Sequence, residues 1–225
     1  MQQVSAKVTE LADRIDGAVP RFDAVGQKIA VVLYRLLSEG HPVPLSRLAG
    51  VTALPVDTIR DTLATWTVFF DDQNAVIGYG GLTVVEMPPH RFIVDGRTLY
   101  TWCAWDSLFI PGVLGKTARV ESVCPVTKGQ ISLEVGPDGV KRVDPSTVVV
   151  SFLTPGRPFD RDVIANFCHF VHFFRSTDVA ASWISRHTGT FLLSVDEAFA
   201  LGQLANARNF GESLDMQIPS GRSQE

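Results

Sequence analysis

Three short helical patterns followed by a β-hairpin pattern constrain the fold of this chain more than any other feature. From residue 27 to residue 38, apolar residues recur at helical spacing. Two shorter helical patterns begin behind Pro44 and Pro55, and proline favours the first turn of a helix. Residues 71–74 then supply a polar turn between two runs rich in β-branched and aromatic side chains, which is typical of a hairpin. This order predicts a winged helix-turn-helix over roughly residues 20–88.

The third helix of such a module is the one that would enter a DNA major groove. Exposed basic or amide side chains would then be expected along it, to contact phosphates and base edges. Between Pro55 and Phe70 the only basic residue is Arg60, and it is accompanied by Asp57 and Asp61. The net charge of the chain, −4, is also too small to indicate a polyanion-binding surface. We therefore expect no nucleic-acid binding and interpret the module as a scaffold or cover for the second half.

The second half shows the pattern of a β-rich domain with packed helices. Asp95–Gly96 predicts one hairpin, and the strand-like runs after residue 118 are separated by glycine-containing turns. The segment CAWDSLFIPGVLG predicts a short apolar helix interrupted at Pro111. Ser194, with Glu197 three residues later, predicts the start of a longer helix near the end of the chain.

The predicted fold class is α+β, with the winged helix-turn-helix-like module followed by a mixed, mainly antiparallel sheet and its helices. An additional short amphipathic helix is expected over residues 4–16. The stiff Met87–His90 junction suggests an N-terminal domain over residues 1–88 and a catalytic α+β domain over residues 89–215. Residues 216–225 are expected to form a disordered tail.

Composition and targeting signals indicate a cytoplasmic protein. The polar N-terminus lacks the apolar core of a secretory signal, and no run approaches the roughly 20 apolar residues of a membrane span. The three cysteines cannot all pair within one chain, so they are expected to be free thiols in a reducing compartment. We expect no membrane association and either a monomer or a homodimer.

The cysteines are the main candidates for chemistry. Cys103 and Asp106 are three residues apart, which places a thiol and a carboxyl on the same side of a helical turn. Cys168 lies in an apolar run with His169 and His172, and either a helix or a strand would bring Cys168 and His172 to one face. Cys124 is interpreted as structural. From spacing alone, packing is the more frequent role for a thiol in such surroundings, so these patterns leave the question of function open.

Several longer motifs together closely resemble the organomercurial (alkylmercury) lyase family. The motifs are WCAxD, GxTARV, the FCxxxHFF run and the EAFxLGQ helix, and they occur in the order found in that family. They stand here in the segments LYTWCAWDSLFIPGVLGKTARVESVCPVTKGQISL, NFCHFVHFFRSTDVAASWISRH and SVDEAFALGQ. The resemblance covers nearly all of residues 90–205, and the N-terminal module is similar to that of the family more loosely. One departure is His169, where many relatives have a second cysteine.

The resemblance implies an enzyme that cleaves the Hg–C bond by protonolysis to give a hydrocarbon and Hg(II). Cys103 and Cys168 match the two catalytic, mercury-binding cysteines, and Asp106 matches the catalytic carboxyl that carries the proton and can contact the metal. Soft thiolates suit mercury, a soft metal, and we favour Cys103 as the thiolate that first displaces the incoming ligand. An apolar pocket for the organic group is expected from aromatic neighbours: Trp102, Trp105, Phe167, Phe170, Phe173 and Phe174.

No organic cofactor is expected, and external thiols or a mercuric reductase would accept the Hg(II) product.

Two alternative functions come from other functional classes. One is a metal-responsive regulator that binds DNA through the winged helix. The other is a thiol metal chaperone without catalytic activity.

Overall fold

The computed structural model describes residues 5–216 and is built of eight α-helices and eleven strands over that range. The helices are α1 (Ala6–Ala18), α2 (Ala24–Leu37), α3 (Leu45–Thr52), α4 (Val56–Ala64), α5 (Asp106–Leu114), α6 (Val163–Asn166), α7 (Thr177–Ile184) and α8 (Val195–Phe210). The strands are β1 (Val68–Phe70), β2 (Val76–Tyr79), β3 (Leu82–Thr83), β4 (Arg91–Val94), β5 (Arg97–Thr101), β6 (Ala118–Val123), β7 (Gln130–Val135), β8 (Val140–Asp144), β9 (Val149–Leu153), β10 (Phe173–Phe174) and β11 (Thr190–Ser194). Short 3-10 turns lie at Cys168–Phe170 and Gly211–Asp215. Among these described residues, no helix is long and apolar enough to cross a membrane.

The N-terminal module has the predicted winged helix-turn-helix arrangement. Helices α3 and α4 begin directly behind Pro44 and Pro55, and α2 is capped by the Asp23 carboxylate, which accepts from the Gly26 amide at 2.7 Å. Strands β1 and β2 pair antiparallel as the hairpin, whose turn is closed by amides that donate to the Asp71 carboxylate. The expected N-terminal amphipathic helix is also present, as α1.

The hairpin strands continue into the sheet of the second half. The main sheet has the order β1-β2-β3-β5-β4-β6-β7-β8, and all of its pairings are antiparallel. Strand β3 pairs with β5, in the register Leu82 to Thr101, so the sheet is continuous across residue 88. The α+β class is therefore confirmed, while the domain division at residue 88 stays a prediction. The predicted tail over residues 216–225 lies, except for Met216, outside the described residues.

Helix α5 differs from expectation because it continues through Pro111 instead of being interrupted there. It is held by α8, which begins with the predicted capping box of Ser194 and Glu197. Ala198, Gly202 and Asn206 follow one another at helical spacing of four on α8 and face α5. The Ala198 carbonyl accepts from the Trp105 indole at 3.0 Å, and the Asn206 amide donates to the Phe109 carbonyl at 2.9 Å. Because a Cβ on Gly202 would lie 2.6 Å from Phe109 Cβ, only glycine allows this close approach.

A second, three-stranded sheet of order β10-β9-β11 carries the segment that contains the last cysteine. The central strand β9 is the predicted buried strand and pairs antiparallel with both neighbours. Strand β10 has only two residues, Phe173 and Phe174, and both are fully buried. The short strand anchors the chain immediately after the Cys168 turn.

Candidate active site

Cys103 and Asp106 belong to one tight turn between β5 and α5. The Asp106 carboxylate accepts from the Cys103 amide at 2.8 Å, so the first residue of α5 holds the turn that precedes it. At the end of β5, the Thr101 hydroxyl donates to the Cys103 carbonyl at 3.0 Å. The predicted proximity of thiol and carboxyl is present, in a turn that leads into the helix rather than within the helix.

Cys168 reaches the same place from a different part of the chain. It begins a 3-10 turn, so its surroundings match neither the helix nor the strand considered from sequence. The Ser151 hydroxyl on β9 donates to the Phe170 carbonyl at 2.7 Å and accepts from the His172 amide at 2.9 Å. The Ala104 amide donates to the Val171 carbonyl at 3.1 Å, which ties this loop to the Cys103 turn. These bonds bring together two cysteines that are 65 residues apart.

The sulfurs of Cys103 and Cys168 and a carboxylate oxygen of Asp106 all lie within 4.8 Å of one another. Over residues 5–216 this is the only group of three or more histidine, cysteine or acidic side chains close enough to share one metal ion. All three are buried, with exposed fractions of 0% for Cys103, 4% for Cys168 and 6% for Asp106. Two soft sulfur ligands and one oxygen form a donor set suited to a thiophilic metal.

Burial acts to raise the pKa of each of the three groups in the cluster. It raises the pKa of Asp106 to about 7, although the hydrogen bonds with Cys103 lower that pKa in part. Burial, contact with Cys168 and the nearby carboxylate raise the pKa of the Cys103 thiol well above its usual range. For Cys168, contact with Cys103 lowers the pKa, but burial and Asp106 outweigh this and the pKa is raised. The cluster therefore favours protonated groups until a cation displaces the protons.

An apolar cavity of about 140 Å³ opens onto Cys168 and Asp106, whereas Cys103 is not among its lining residues. Its walls come from both halves of the chain and are rich in aromatic side chains. The aromatic residues are Phe22, Tyr34, Trp66, Tyr79, Trp102, Trp105, Phe109, Phe159, Phe167 and Phe210. Of the predicted pocket residues, Trp102, Trp105 and Phe167 line it. Phe170, Phe173 and Phe174 do not.

The other cysteine and the histidines lie outside the cluster. Cys124 is fully buried in the turn between β6 and β7. Burial alone would raise its pKa, but hydrogen bonds from the Thr127 hydroxyl and nearby backbone amides outweigh this and lower it. The His172 ring contacts the His169 carbonyl at 2.8 Å through Nε2 and packs edge-on against Trp183. His172 is thus engaged in local packing.

Three features of the site were not identified from sequence. Ser151, which holds the Cys168 loop, lies in an apolar strand pattern that gives no signal for such a role. Tyr34 lies on the buried face of α2 and lines the cavity. Gly80 and Gly81, in the turn between β2 and β3, also line it. The pair of adjacent glycines was the one sequence signal that could have pointed to a close backbone contact at the site.

Comparison with known families accounts for nearly the whole chain. The family model for alkylmercury lyase matches residues 85–205, and that for the helix-turn-helix domain of alkylmercury lyase matches residues 8–80. The chain is 43% identical over 203 residues to an alkylmercury lyase of Staphylococcus epidermidis, covering 89% of this chain and 92% of that protein. It is 45% identical over 177 residues to one from Pseudomonas putida, covering 77% and 81% of the two chains.

A solved structure shares the fold. The crystal structure of the mercury-bound form of MerB2 superposes with a TM-score of 0.70 at 19% identity, covering 93% of this chain and 100% of that one. Together with the two matched family models, these similarities show that the chain belongs to the alkylmercury lyase family.

Proposed function

We propose that this protein cleaves the carbon–mercury bond of organomercurial compounds, with Cys103 and Cys168 binding the mercury and Asp106 transferring the proton. The observation that carries the proposal is the buried cluster of two thiols and one carboxyl within 4.8 Å, two members of which, Cys168 and Asp106, line an apolar cavity. Mercury is a soft cation and prefers thiolates to oxygen or nitrogen ligands. A carboxyl beside two thiols can accept a proton from sulfur and later donate it to carbon.

The cavity supports Cys168 as the thiol that first meets the substrate, which differs from the order favoured on sequence grounds. Cys168 lines the cavity, whereas Cys103 is fully buried behind it. The pKa of Cys103 is also raised well above its usual range by burial, so it ionises less readily. In the first step the Cys168 sulfur bonds to mercury, and the thiol proton leaves with the displaced ligand.

The second step gives the metal its second sulfur. The Cys103 thiol passes its proton to the Asp106 carboxylate, and the sulfur then bonds to mercury. Electron density from two thiolates weakens the bond between mercury and carbon. As that bond breaks, its electron pair stays with carbon, and carbon takes the proton from Asp106. The products are the hydrocarbon R–H and Hg(II) held by two thiolates, so protons and electrons balance without a redox partner.

The cavity is close in volume to one that holds an aromatic ring. An apolar cavity of about 150 Å³ can hold benzene, and the volume here is about 140 Å³. We further propose that turnover requires no organic cofactor, and that small thiols or a mercuric reductase remove Hg(II) from the two sulfurs. Ligand exchange between thiolates is sufficient for this release.

The direct test is release of benzene from phenylmercury by the purified protein in excess thiol, measured by gas chromatography. Cys103→Ser and Cys168→Ser should each abolish product formation, and Cys124→Ser should retain it as a matched control for loss of a buried thiol. Mass spectrometry should show a phenylmercury adduct on Cys168 in the Cys103→Ser variant. Full activity in either active-site serine variant would refute the assignment.

Asp106→Asn separates binding from proton transfer. This variant should bind phenylmercury stoichiometrically and release benzene at least about 100 times more slowly, the lower end of the range for loss of a general acid or base. A native rate in this variant would refute the proton-transfer role. Stoichiometric mercury uptake without hydrocarbon release by the unmodified protein would instead indicate a metal chaperone.

A further inference from the structure

The turn at Gly80–Gly81, between β2 and β3, lies directly against the Asp106 carboxyl. Both glycines have positive φ, +53° for Gly80 and +93° for Gly81, a backbone region that favours glycine. A Cβ atom on Gly81 would lie 2.4 Å from Asp106 Cγ and 2.5 Å from Oδ1. The Asp106 carboxyl therefore lies in the space that a side chain at position 81 would fill, and a glycine there allows this close approach.

The turn is held from both halves of the chain. On one side, the hydroxyl of Tyr34 on α2 donates to the Gly80 carbonyl at 2.6 Å. Tyr34 is 3% exposed and packs against Tyr79, with ring centroids 5.1 Å apart. On the other side, the amide of Trp102, the residue before Cys103, donates to the Gly81 carbonyl at 2.9 Å. The turn is thus linked to the chain segment that carries the first thiol.

These contacts confine the Asp106 carboxyl on two sides. Its Oδ2 accepts from the Cys103 amide, and the Gly81 backbone lies against Cγ and Oδ1. We propose that Tyr34, Gly80 and Gly81 are positioning residues, which hold the Asp106 carboxyl in the orientation that proton transfer to carbon requires. The inference rests on the proposed function. It also means that the helix-turn-helix module, through Tyr34, helps to position a group that transfers the proton.

Gly81→Ala tests the contact, and Gly96→Ala is its matched control. Gly96 also has positive φ, +75°, but a Cβ there would meet nothing within 4 Å. Both variants therefore carry similar backbone strain, and only Gly81→Ala displaces the carboxyl. A misplacement of about 1 Å can cost roughly 100-fold in rate. We expect kcat for benzene release to fall by about that factor in Gly81→Ala, with KM changed by less than about threefold.

Tyr34→Phe tests the same positioning of the Asp106 carboxyl without adding an atom. It still tests the proposal if Gly81→Ala does not fold. Removing the hydroxyl releases Gly80 while leaving the ring in place. We expect kcat to fall about tenfold, while the stoichiometry and rate of phenylmercury capture by the two thiols stay unchanged. Tyr100→Phe, at a half-buried position on β5 away from the cavity, is the control and should behave as the unmodified protein.

The outcomes separate the two proposals. If the unmodified protein releases no benzene, the proposed function fails. If it does release benzene, but Gly81→Ala matches Gly96→Ala and Tyr34→Phe matches Tyr100→Phe in kcat, only the positioning inference is refuted. Loss of thiol capture in parallel with kcat would also refute it, because a positioning residue for the proton should not change mercury binding.

Discussion

Asp106→Asn is expected to make the protein more stable at the same time as it slows the reaction. Burial raises the pKa of this carboxyl from 3.8 to about 7 in the folded protein. Folding therefore favours the protonated form of Asp106. The stability that comes from this preference for the protonated carboxyl is fully present below pH 3.8. It is lost progressively as the pH rises to about 7 and the carboxyl ionises in the folded protein. Above that range the folded state bears the whole cost of a buried, ionised carboxylate.

The magnitude follows from the size of the shift. A change of about 3 pKa units at roughly 1.4 kcal/mol per unit corresponds to about 4 kcal/mol at pH 8. Asparagine carries no charge at any pH, and its carbonyl oxygen can still accept from the Cys103 amide. Asp106→Asn should therefore raise the free energy of unfolding by up to about 4 kcal/mol at pH 8 and have almost no effect near pH 4.

Denaturant unfolding at pH 4, 6 and 8, in the presence of a reducing agent, measures this difference directly. The stability of Asp106→Asn relative to the unmodified protein should increase with each pH step. The same variant should also release benzene slowly. Asp72→Asn, at an exposed position in the hairpin turn, is the matched control and should leave the free energy of unfolding unchanged. A variant that is equally stable or less stable than the unmodified protein at pH 8 would refute the electrostatic reasoning for Asp106.

Three further outcomes are expected. His90 is fully buried and burial lowers its pKa to about 3, so the contribution of this side chain to stability should fall by about 1.4 kcal/mol between pH 7.5 and pH 5.5. Denaturant unfolding at the two pH values should show the stability of the unmodified protein, relative to His90→Asn, decreasing by that amount. Gly202→Ala places a Cβ 2.6 Å from Phe109 Cβ and should lower the free energy of unfolding by about 1–3 kcal/mol through overpacking. Gly50→Ala lies on an open helix surface and should raise the free energy of unfolding by about 0.5–1 kcal/mol. Thermal unfolding measures both changes. Cys124→Ala should keep its rate of benzene release and lose about 1–2 kcal/mol of unfolding free energy, and loss of turnover in a folded variant would contradict a structural role.

Local sequence patterns predicted most of the secondary structure because each helix or strand carries its own signal. Helices α3 and α4 begin where Pro44 and Pro55 predict, and α8 begins with the Ser194 capping box. The exception was α5, which continues through Pro111. A proline costs one helical hydrogen bond, and the contacts of this apolar helix with α8 outweigh that local cost.

The candidate site was only partly predictable from sequence. Spacing placed Cys103 near Asp106 because both belong to one turn, which is a local property. The choice of Cys168 over Cys124 came from the resemblance to a family, since nothing local distinguishes a thiol that packs from one that reacts. His172 was also a plausible partner of Cys168 by spacing, but Cys168 begins a 3-10 turn and the His172 ring packs against Trp183.

The helices, the hairpins and the thiol–carboxyl turn at Cys103 were determined by neighbouring residues, because propensity, capping and spacing act over a few positions. The convergence of Cys103 with Cys168 depends on hydrogen bonds from Ser151 and Ala104 between distant segments. The contact between Gly81 and Asp106 arises because β3 pairs with β5 across the two halves of the chain. Such contacts depend on how sheets and helices pack, so no local sequence pattern predicts them.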